Sequence, residues 1–281
     1  DRSGPGLRTA GGSVPRVSSP RDASEDRRAT VALLDDGRAD EALRMAEQLP
    51  LDDPNAIQVL AFAEIEGGQQ LEDPEIVRRG VVRLEDLAAR VGVNTAYNRA
   101  NGHFALWTLA VHQQGVAGAH LNARSDLHAA RDLYAQVGAN EDVGEDFRLQ
   151  SWVNLGNSYD ECGRHADALE AYDEALAVRP TFGMALGNRG MTLLVRAAAE
   201  EVHQHALVSE AVAALDAALA NPEDVVAYGG PRALESFTAA RARVGFRSSP
   251  SVVTVPSETK PSSICRVGFE PWGTKPYRTI T

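Results

Sequence analysis

The sequence predicts an all-α protein whose helices pair into hairpins that stack on one another. Alanine, which lets helices pack closely, occurs 44 times among 281 residues, while the aromatic residues that favour sheets account for 6%. Hydrophobic residues make up 43% and charged residues 24%, the balance of a globular chain that buries a core. A pattern of about 34 residues recurs along the middle of the chain, as in proteins that stack one structural unit on the next.

Charge divides the chain into three parts. Residues 1–28 carry a net charge of +2 and residues 247–281 carry +3, which leaves −16 for residues 29–246. Both ends are rich in turn-forming and polar residues, so we expect a disordered N-terminal segment, an acidic helical domain and a disordered or aberrant tail. The run at 268–273, which contains two aromatic residues, is alternatively a short docking segment.

The acidic domain argues against direct nucleic-acid binding and favours a protein partner that is neutral or basic. No apolar run approaches the roughly 20 residues of a membrane span, so no membrane association is expected. The two cysteines, Cys162 and Cys265, are too few for a disulfide framework or a metal cage, which favours a reducing cytoplasm. Abundant Ala and Arg beside two lysines is typical of a GC-rich bacterial genome.

The clearest unit spans residues 149–182. Its spacing predicts a helix, a turn at 162–164 and a second helix that Pro180 ends, because proline cannot donate a backbone hydrogen bond. Small residues stand where the two helices cross, and aromatic residues fill the space between neighbouring hairpins. Eight residues carry the pattern: Trp152, Leu155, Gly156, Tyr159, Ala168, Tyr172, Ala175 and Pro180. The pattern resembles the tetratricopeptide repeat (TPR), and this resemblance implies an α-α superhelix, or solenoid.

Weaker units precede the clear one. Residues 37–43 resemble residues 163–169, and residues 96–101 resemble residues 152–157. Asp73 followed by Pro74 is a favourable helix start. The helices expected here lie over residues 26–36, 39–49, 55–66, 73–91, 94–114 and 120–137, with a loop around 115–118.

Further units follow the clear one. Residues 184–190 begin another first helix, and its partner contains residues 211–219 after about nine extra residues. A last helix, over about 230–244 from Pro231, is expected to cap the stack. The total of about five hairpins plus a cap exceeds the three that a solenoid needs to bury its apolar faces.

The TPR resemblance places the first helix of each hairpin along a concave groove, and asparagine recurs at equivalent positions of these helices. A side-chain amide offers both a donor and an acceptor, so a row of amides can hold an extended peptide by its main chain. The candidate groove residues are Asn98, Asn101, Asn154, Asn157, Asn188 and Arg189. In the clear unit the groove positions are Gln150, Val153, Asn157, Asp160 and Glu161.

The asparagines also resemble those of TPR carboxylate clamps. Asn157 and Asn188 occupy the two matching places, whereas Val153 stands where the clamp has a lysine, which leaves Arg189 or Arg148 to supply charge. The alternative is that the asparagines bridge adjacent repeats and serve packing. Four further residues, Tyr97, Phe104, Met184 and Met191, form either an apolar binding strip or ordinary core.

A wider resemblance links 29–246 to the TPR portion of bacterial TPR–HEPN proteins. It is carried by the runs 97–102 and 182–190, and it implies a sensory or regulatory half whose effector domain is missing. Many HEPN domains are ribonucleases with an Arg-x4–6-His motif, and Arg196 with His203 has that spacing. These two residues fall inside a TPR-like unit, so we expect no ribonuclease activity.

No catalytic, metal or cofactor site is expected. The pair His203 and His205 lacks a third ligand at a familiar spacing. Cys162 and His165 lie at a tight turn rather than in a shaped pocket. The sequence therefore predicts a non-catalytic scaffold that binds a peptide or protein segment in its concave groove.

Overall fold

The computed structural model describes residues 23–92, 94–200 and 202–245. The predicted tail at 247–281 and most of the predicted disordered segment at 1–28 lie outside the described residues, but residues 23–28 belong to a helix rather than to a disordered segment. Within the described ranges the chain is helical and contains no strand. The helices are α1 (Ala23–Asp35), α2 (Ala39–Ala46), α3 (Pro54–Gln70), α4 (Pro74–Val91), α5 (Ala96–Asn122), α6 (Arg124–Ala139), α7 (Glu145–Asp160), α8 (His165–Val178), α9 (Gly183–Ala199), α10 (Gln204–Leu219) and α11 (Pro222–Gly245).

The first ten helices form five hairpins, each with its second helix packed on its first, and α11 packs on α9 and α10. The sequence prediction of a helical solenoid with five hairpins and a capping helix is therefore confirmed. Each of the first four hairpins also contacts the first helix of the next hairpin. Each hairpin covers its apolar face only by stacking, which is the physical basis of repeat architectures.

Both helices of the second hairpin, α3 and α4, begin after an aspartate that is followed by proline. The side chain of Asp53 accepts a hydrogen bond from the backbone N–H of Asn55 at 2.9 Å, and Asp73 accepts one from Glu75 at 2.9 Å. Each carboxylate thus satisfies a backbone donor that the first helical turn leaves unpaired. The predicted start of α4 at Asp73 is confirmed.

The turns inside the first and fourth hairpins share one geometry. Gly37 and Gly163 both adopt the left-handed conformation, each with φ of 71°. The next residue in each turn, Arg38 or Arg164, binds a carboxylate three residues later through two hydrogen bonds. This shared turn confirms the sequence similarity of residues 37–43 to residues 163–169.

Two glycines interrupt helices. Gly115, with φ of 73° and ψ of 169°, divides α5 into two helical segments, and Gly230, with φ of 69° and ψ of 177°, divides α11. The predicted break after residue 114 is observed, but the loop is shorter than predicted, because helical backbone resumes directly after Gly115. A helical segment begins at Pro231 as predicted, and the segment that precedes it, from Pro222, was not predicted.

The core is continuous from hairpin to hairpin. Trp152 and Tyr159 pack against two apolar clusters, one centred on α5 to α7 and the other on α7 to α11. Close helix crossing is possible because Gly156 faces Tyr172, where an added Cβ would lie 2.3 Å from a ring carbon. Four residues of the TPR pattern, Trp152, Gly156, Tyr159 and Tyr172, thus lie at contacts between helices.

Candidate functional site

The first helices of successive hairpins form a continuous layer. Helix α3 contacts α5, α5 contacts α7, and α7 contacts α9. We call α3, α5, α7 and α9 the inner layer, because in a TPR solenoid these helices line the concave face. All the candidate groove residues predicted from the sequence lie on this layer.

Three side chains join α5, α6 and α7 around one amide oxygen. The hydroxyl of Tyr134 donates to Oδ1 of Asn101 at 2.7 Å, and the side-chain nitrogen of Asn154 donates to the same oxygen at 3.5 Å. The nitrogen of Asn154 also lies 3.4 Å from the hydroxyl of Tyr97, which itself donates to Gln150 at 2.8 Å. We call Asn101, Tyr134 and Asn154 the first asparagine triad.

The same arrangement recurs one repeat later. Tyr172 of α8 donates to Oδ1 of Asn157 at 2.8 Å, and the side-chain nitrogen of Asn188 in α9 donates to that oxygen at 2.9 Å. Asn157, Tyr172 and Asn188 form the second asparagine triad. In both triads one asparagine oxygen accepts from the tyrosine of its own hairpin and from the asparagine of the next hairpin.

The triads lie mostly below the surface. Asn101, Asn154 and Asn188 are buried, as are Tyr134 and Tyr172. A buried polar group without a partner costs about 1–3 kcal/mol, so these hydrogen bonds stabilise the stacking of neighbouring hairpins. The contacts support the packing role that the sequence left open for the asparagines, and Asn157 remains partly exposed.

Asn98 differs from its counterparts at the matching position. Its Oδ1 is buried and has no hydrogen-bond partner within the described part of the chain. Helix α3 contains no asparagine after Asn55, so no triad forms between α3 and α5. The inner layer therefore has an unsatisfied amide oxygen at this junction.

Two arginines, Arg99 after Asn98 and Arg189 after Asn188, bind acids on the second helix of the preceding hairpin. Arg99 lies 3.4 Å from Glu85 of α4, and Arg189 binds Asp173 of α8 at 2.8 Å and Glu210 of α10 at 2.5 Å. Arg189 is thus not brought together with the triads. Arg148, the other predicted source of charge, donates to the backbone oxygen of Gly138 at 3.1 Å.

The C-terminal end of α7 carries two acids. Asp160 is buried and accepts hydrogen bonds from Tyr172 at 3.0 Å and from Thr192, and it lies 2.9 Å from His165. Glu161 accepts a hydrogen bond from the indole of Trp107 at 2.8 Å. Both carboxylates therefore tie α7 to neighbouring helices.

Glu66 of α3 was missed by sequence reasoning. Its residue surface is 7% exposed, and burial raises the pKa of its carboxyl to about 7, with a smaller contribution from Asp35. The Glu66 carboxyl also helps to raise the pKa of Tyr97 and of Tyr134, which places it within electrostatic reach of the first triad.

Glu64, a second buried acid of α3, has a basic partner that offsets the cost of burying its charge. Glu64 is also buried, but it accepts two hydrogen bonds from Arg83, at 2.8 and 3.0 Å. No such basic partner accompanies Glu66 among the described residues, which is why burial dominates its pKa. The sequence around Glu64 and Glu66 does not show which of the two glutamates has a basic partner.

The thiol of Cys162 does not have the lowered pKa of a catalytic nucleophile. Burial raises the pKa of the Cys162 thiol, whereas a reactive cysteine needs a lowered pKa. Arg196 is bound to Glu200 at 2.8 Å, and His203 lies 3.7 Å from the same acid. Among the described residues, no group of three or more His, Cys, Asp or Glu side chains is arranged to hold a metal ion.

Comparison with known families agrees with this geometry. The profile of the tetratricopeptide repeat family matches residues 150–182, which form α7, α8 and the turn between them. Residues 150–182 therefore form a tetratricopeptide repeat. TPR proteins generally bind protein partners and act as scaffolds, and none of the helices in the described ranges combines the length and apolar character of a membrane span.

Solved structures of similar proteins share low sequence identity with this chain. A thermophilic TPR protein of Thermus thermophilus is 19% identical, with a TM-score of 0.49, and the match covers 78% of this chain and 98% of that one. A MamA structure is 21% identical, with a TM-score of 0.40 and coverage of 72% and 95%. MamA AMB-1 is 19% identical, with a TM-score of 0.39 and coverage of 72% and 92%. No curated protein sequence matches the chain.

Proposed function

We propose that this TPR protein is a non-catalytic adaptor that holds a protein segment against its inner layer. The observation that supports this most is the unbroken contact of α3, α5, α7 and α9, which offers one extended surface across four hairpins. The asparagine triads fix the spacing of α5, α7 and α9, so the surface is preorganised and binding requires little ordering of the chain.

The candidate residues have two roles in this proposal. Asn98 and Asn157, which are partly exposed, contact the main chain of the bound segment through their amides. Asn101, Asn154 and Asn188 hold the surface in place from below. Arg189 keeps α9 against α8 and α10 rather than contacting the segment.

The proposed partner is neutral or basic. The helical domain over 29–246 has a net charge of −16, and within the described ranges no basic group offsets the burial of Glu66 in α3. An ammonium or guanidinium group near Glu66 would be attracted to its carboxylate. Association should therefore weaken as salt concentration rises.

Site-specific photo-crosslinking tests the location of binding. A photoreactive residue placed at Asn98 or at Gln150 should crosslink partners from a lysate of the source cells, while the same residue at the exposed Ala239 of α11 should not. Equal crosslinking from all three positions, or crosslinking from Ala239 alone, would exclude the inner layer as the binding surface.

The alternative function, a regulatory half of a HEPN-type ribonuclease system, rests on the family resemblance alone. In the described structure Arg196 and His203 both lie against Glu200. Neither the unmodified chain nor the His203→Ala variant should cleave RNA that is incubated with it. Cleavage that is lost on this replacement would favour the alternative.

A further inference from the structure

A second surface lies along α4, beside the turn after α2 and the start of α3. A pocket of about 520 Å³ lies between Leu51 of this turn, Ile57 of α3 and residues of α4. The α4 patch consists of the pocket residues Leu51, Arg78, Arg79, Val82, Asp86 and Arg90, and Glu75 also lines the pocket.

The α4 patch has an apolar centre. Leu51 is 45% exposed and Val82 is 48% exposed, and they face one pocket whose wall also includes the buried Ile57 and Leu87. An apolar side chain placed between Leu51 and Val82 would remove both from water. Burying one such side chain is worth about 1.5–3 kcal/mol.

Arginines surround this centre. Arg79 and Arg83 are directed toward the buried Glu64, at 3.6 and 2.8 Å, and Arg78 lies 3.8 Å from the exposed Glu75. Arg90 is exposed at the end of α4. Residues 74–92 therefore carry a net charge of +1, within a domain whose net charge is −16.

We propose that the α4 patch binds an acidic protein segment that carries an apolar side chain. The apolar side chain enters the pocket between Leu51 and Val82, and carboxylates on either side pair with Arg78 and Arg90. These arginines are twelve positions apart on α4, a separation of about 18 Å, which suits a segment of five or six extended residues. This surface differs from the inner layer in position and in the charge that it selects.

The charge of the patch decides the occupant. A basic segment would be repelled by the arginines, and it would be drawn instead to the acidic remainder of the domain. A purely acidic segment would leave the pocket unfilled. Only a segment with both features makes use of the exposed apolar residues and the arginines together.

Fluorescence anisotropy with synthetic probes tests the proposal on the full chain. The probe is a labelled dodecapeptide of glutamate and leucine; one control peptide has serine for leucine, another has lysine for glutamate, and a single-stranded oligothymidine serves as a non-protein anion. The glutamate–leucine peptide should bind saturably, and each control should bind about tenfold more weakly or not at all.

Variants locate the binding. The double change Arg78→Glu and Arg90→Glu should lower the affinity for the glutamate–leucine peptide by about tenfold or more. The single change Val82→Ser should lower that affinity severalfold. Arg232→Glu, an exposed charge reversal on α11, should have no effect. Circular dichroism of each variant checks that it is folded, and Val82→Ser, which changes no charge, keeps the test valid if the double variant unfolds.

Three results would overturn the proposal. The first is no saturable binding of the glutamate–leucine peptide, and the second is equal binding of the serine peptide or of the oligothymidine. The third is self-association of the chain that disappears in the Val82→Ser variant, because a second copy would then be the occupant of the patch.

Discussion

The two halves of the inner layer are held together by different chemistry. Between α5 and α9, two asparagine triads pair buried polar atoms across each hairpin junction. Between α3 and α5 there is no triad, the Oδ1 of Asn98 is unpartnered, and Glu66 is buried without a basic neighbour among the described residues. The comparison teaches that the junctions from α5 to α9 pair their asparagine amides across hairpins, whereas the α3–α5 junction leaves the Oδ1 of Asn98 unpaired. Pairing is not complete between α5 and α9 either, since the buried Oγ of Ser151 in α7 has no partner among the described residues. A buried polar atom without a partner lowers stability.

The largest effect on stability is expected at the tight crossing of α7 and α8. Gly156→Val should destabilise the chain by about 3 kcal/mol or more, because its Cβ would lie 2.3 Å from the ring of Tyr172. Gly144→Ala is the matched control, since the nearest atom to its added Cβ is 3.9 Å away. Urea denaturation measures both. Similar losses in the two variants would mean that the α7–α8 crossing is not tightly packed.

The next effect is a pH-dependent change in stability that arises from Glu66 of α3. The folded-state pKa of Glu66 is about 7, against an ordinary value of 4.5, so the folded chain binds more protons between these values than the unfolded chain does. The contribution of Glu66 to stability is therefore present at low pH and is lost as pH rises through 7. The stability of Glu66→Gln relative to the unmodified chain should rise by about 2–3 kcal/mol between pH 5 and pH 8.

A neighbouring glutamate provides the control for this measurement. Glu64→Gln should destabilise the chain at neutral pH, because Arg83 would lose its carboxylate partner. Denaturant unfolding across the pH range measures both variants. A stability difference for Glu66→Gln that does not change with pH would show that the Glu66 carboxyl titrates at its ordinary value.

A smaller effect distinguishes the two junctions directly. Asn101→Ala should cost about 2 kcal/mol, because the hydroxyl of Tyr134 and the amide of Asn154 both lose their acceptor. Asn98→Ala should cost less than about 1 kcal/mol, since its amide oxygen has no partner to lose. Thermal or urea unfolding compares the two. Equal losses would contradict the distinction between the junctions.

Sequence reasoning succeeded where one residue type has one physical consequence. Pro180 stops α8, which ends at Val178, and the turn at Gly163 repeats the turn at Gly37. It missed the helical segments at 116–122 and 222–229, beside Gly115 and Gly230, because a glycine with positive φ either ends a helix or is followed at once by another helical segment. Packing on both sides of the glycine decides between these outcomes, and that packing includes the contact of Trp107 with His120 across the kink of α5.

The candidate site was predicted in part. The recurrence of asparagine in successive units is visible in the sequence, but the tyrosines that bind it, Tyr134 and Tyr172, come from the second helix of each hairpin. Which amides face a neighbouring helix and which face solvent depends on how the hairpins stack. Glu66 could not be found for the same reason, since its lack of compensation depends on which side chains α1, α3 and α5 bring near it.

A double-mutant cycle on the second triad is the most direct test that the asparagines join successive repeats. The amide of Asn188 donates to Asn157 at 2.9 Å, so Asn157→Ala and Asn188→Ala should show a coupling energy of about 1 kcal/mol in urea unfolding. The distant pair Asn98→Ala and Asn188→Ala should be additive within about 0.3 kcal/mol. A coupling near zero for Asn157 with Asn188 would contradict the triad as the link between hairpins.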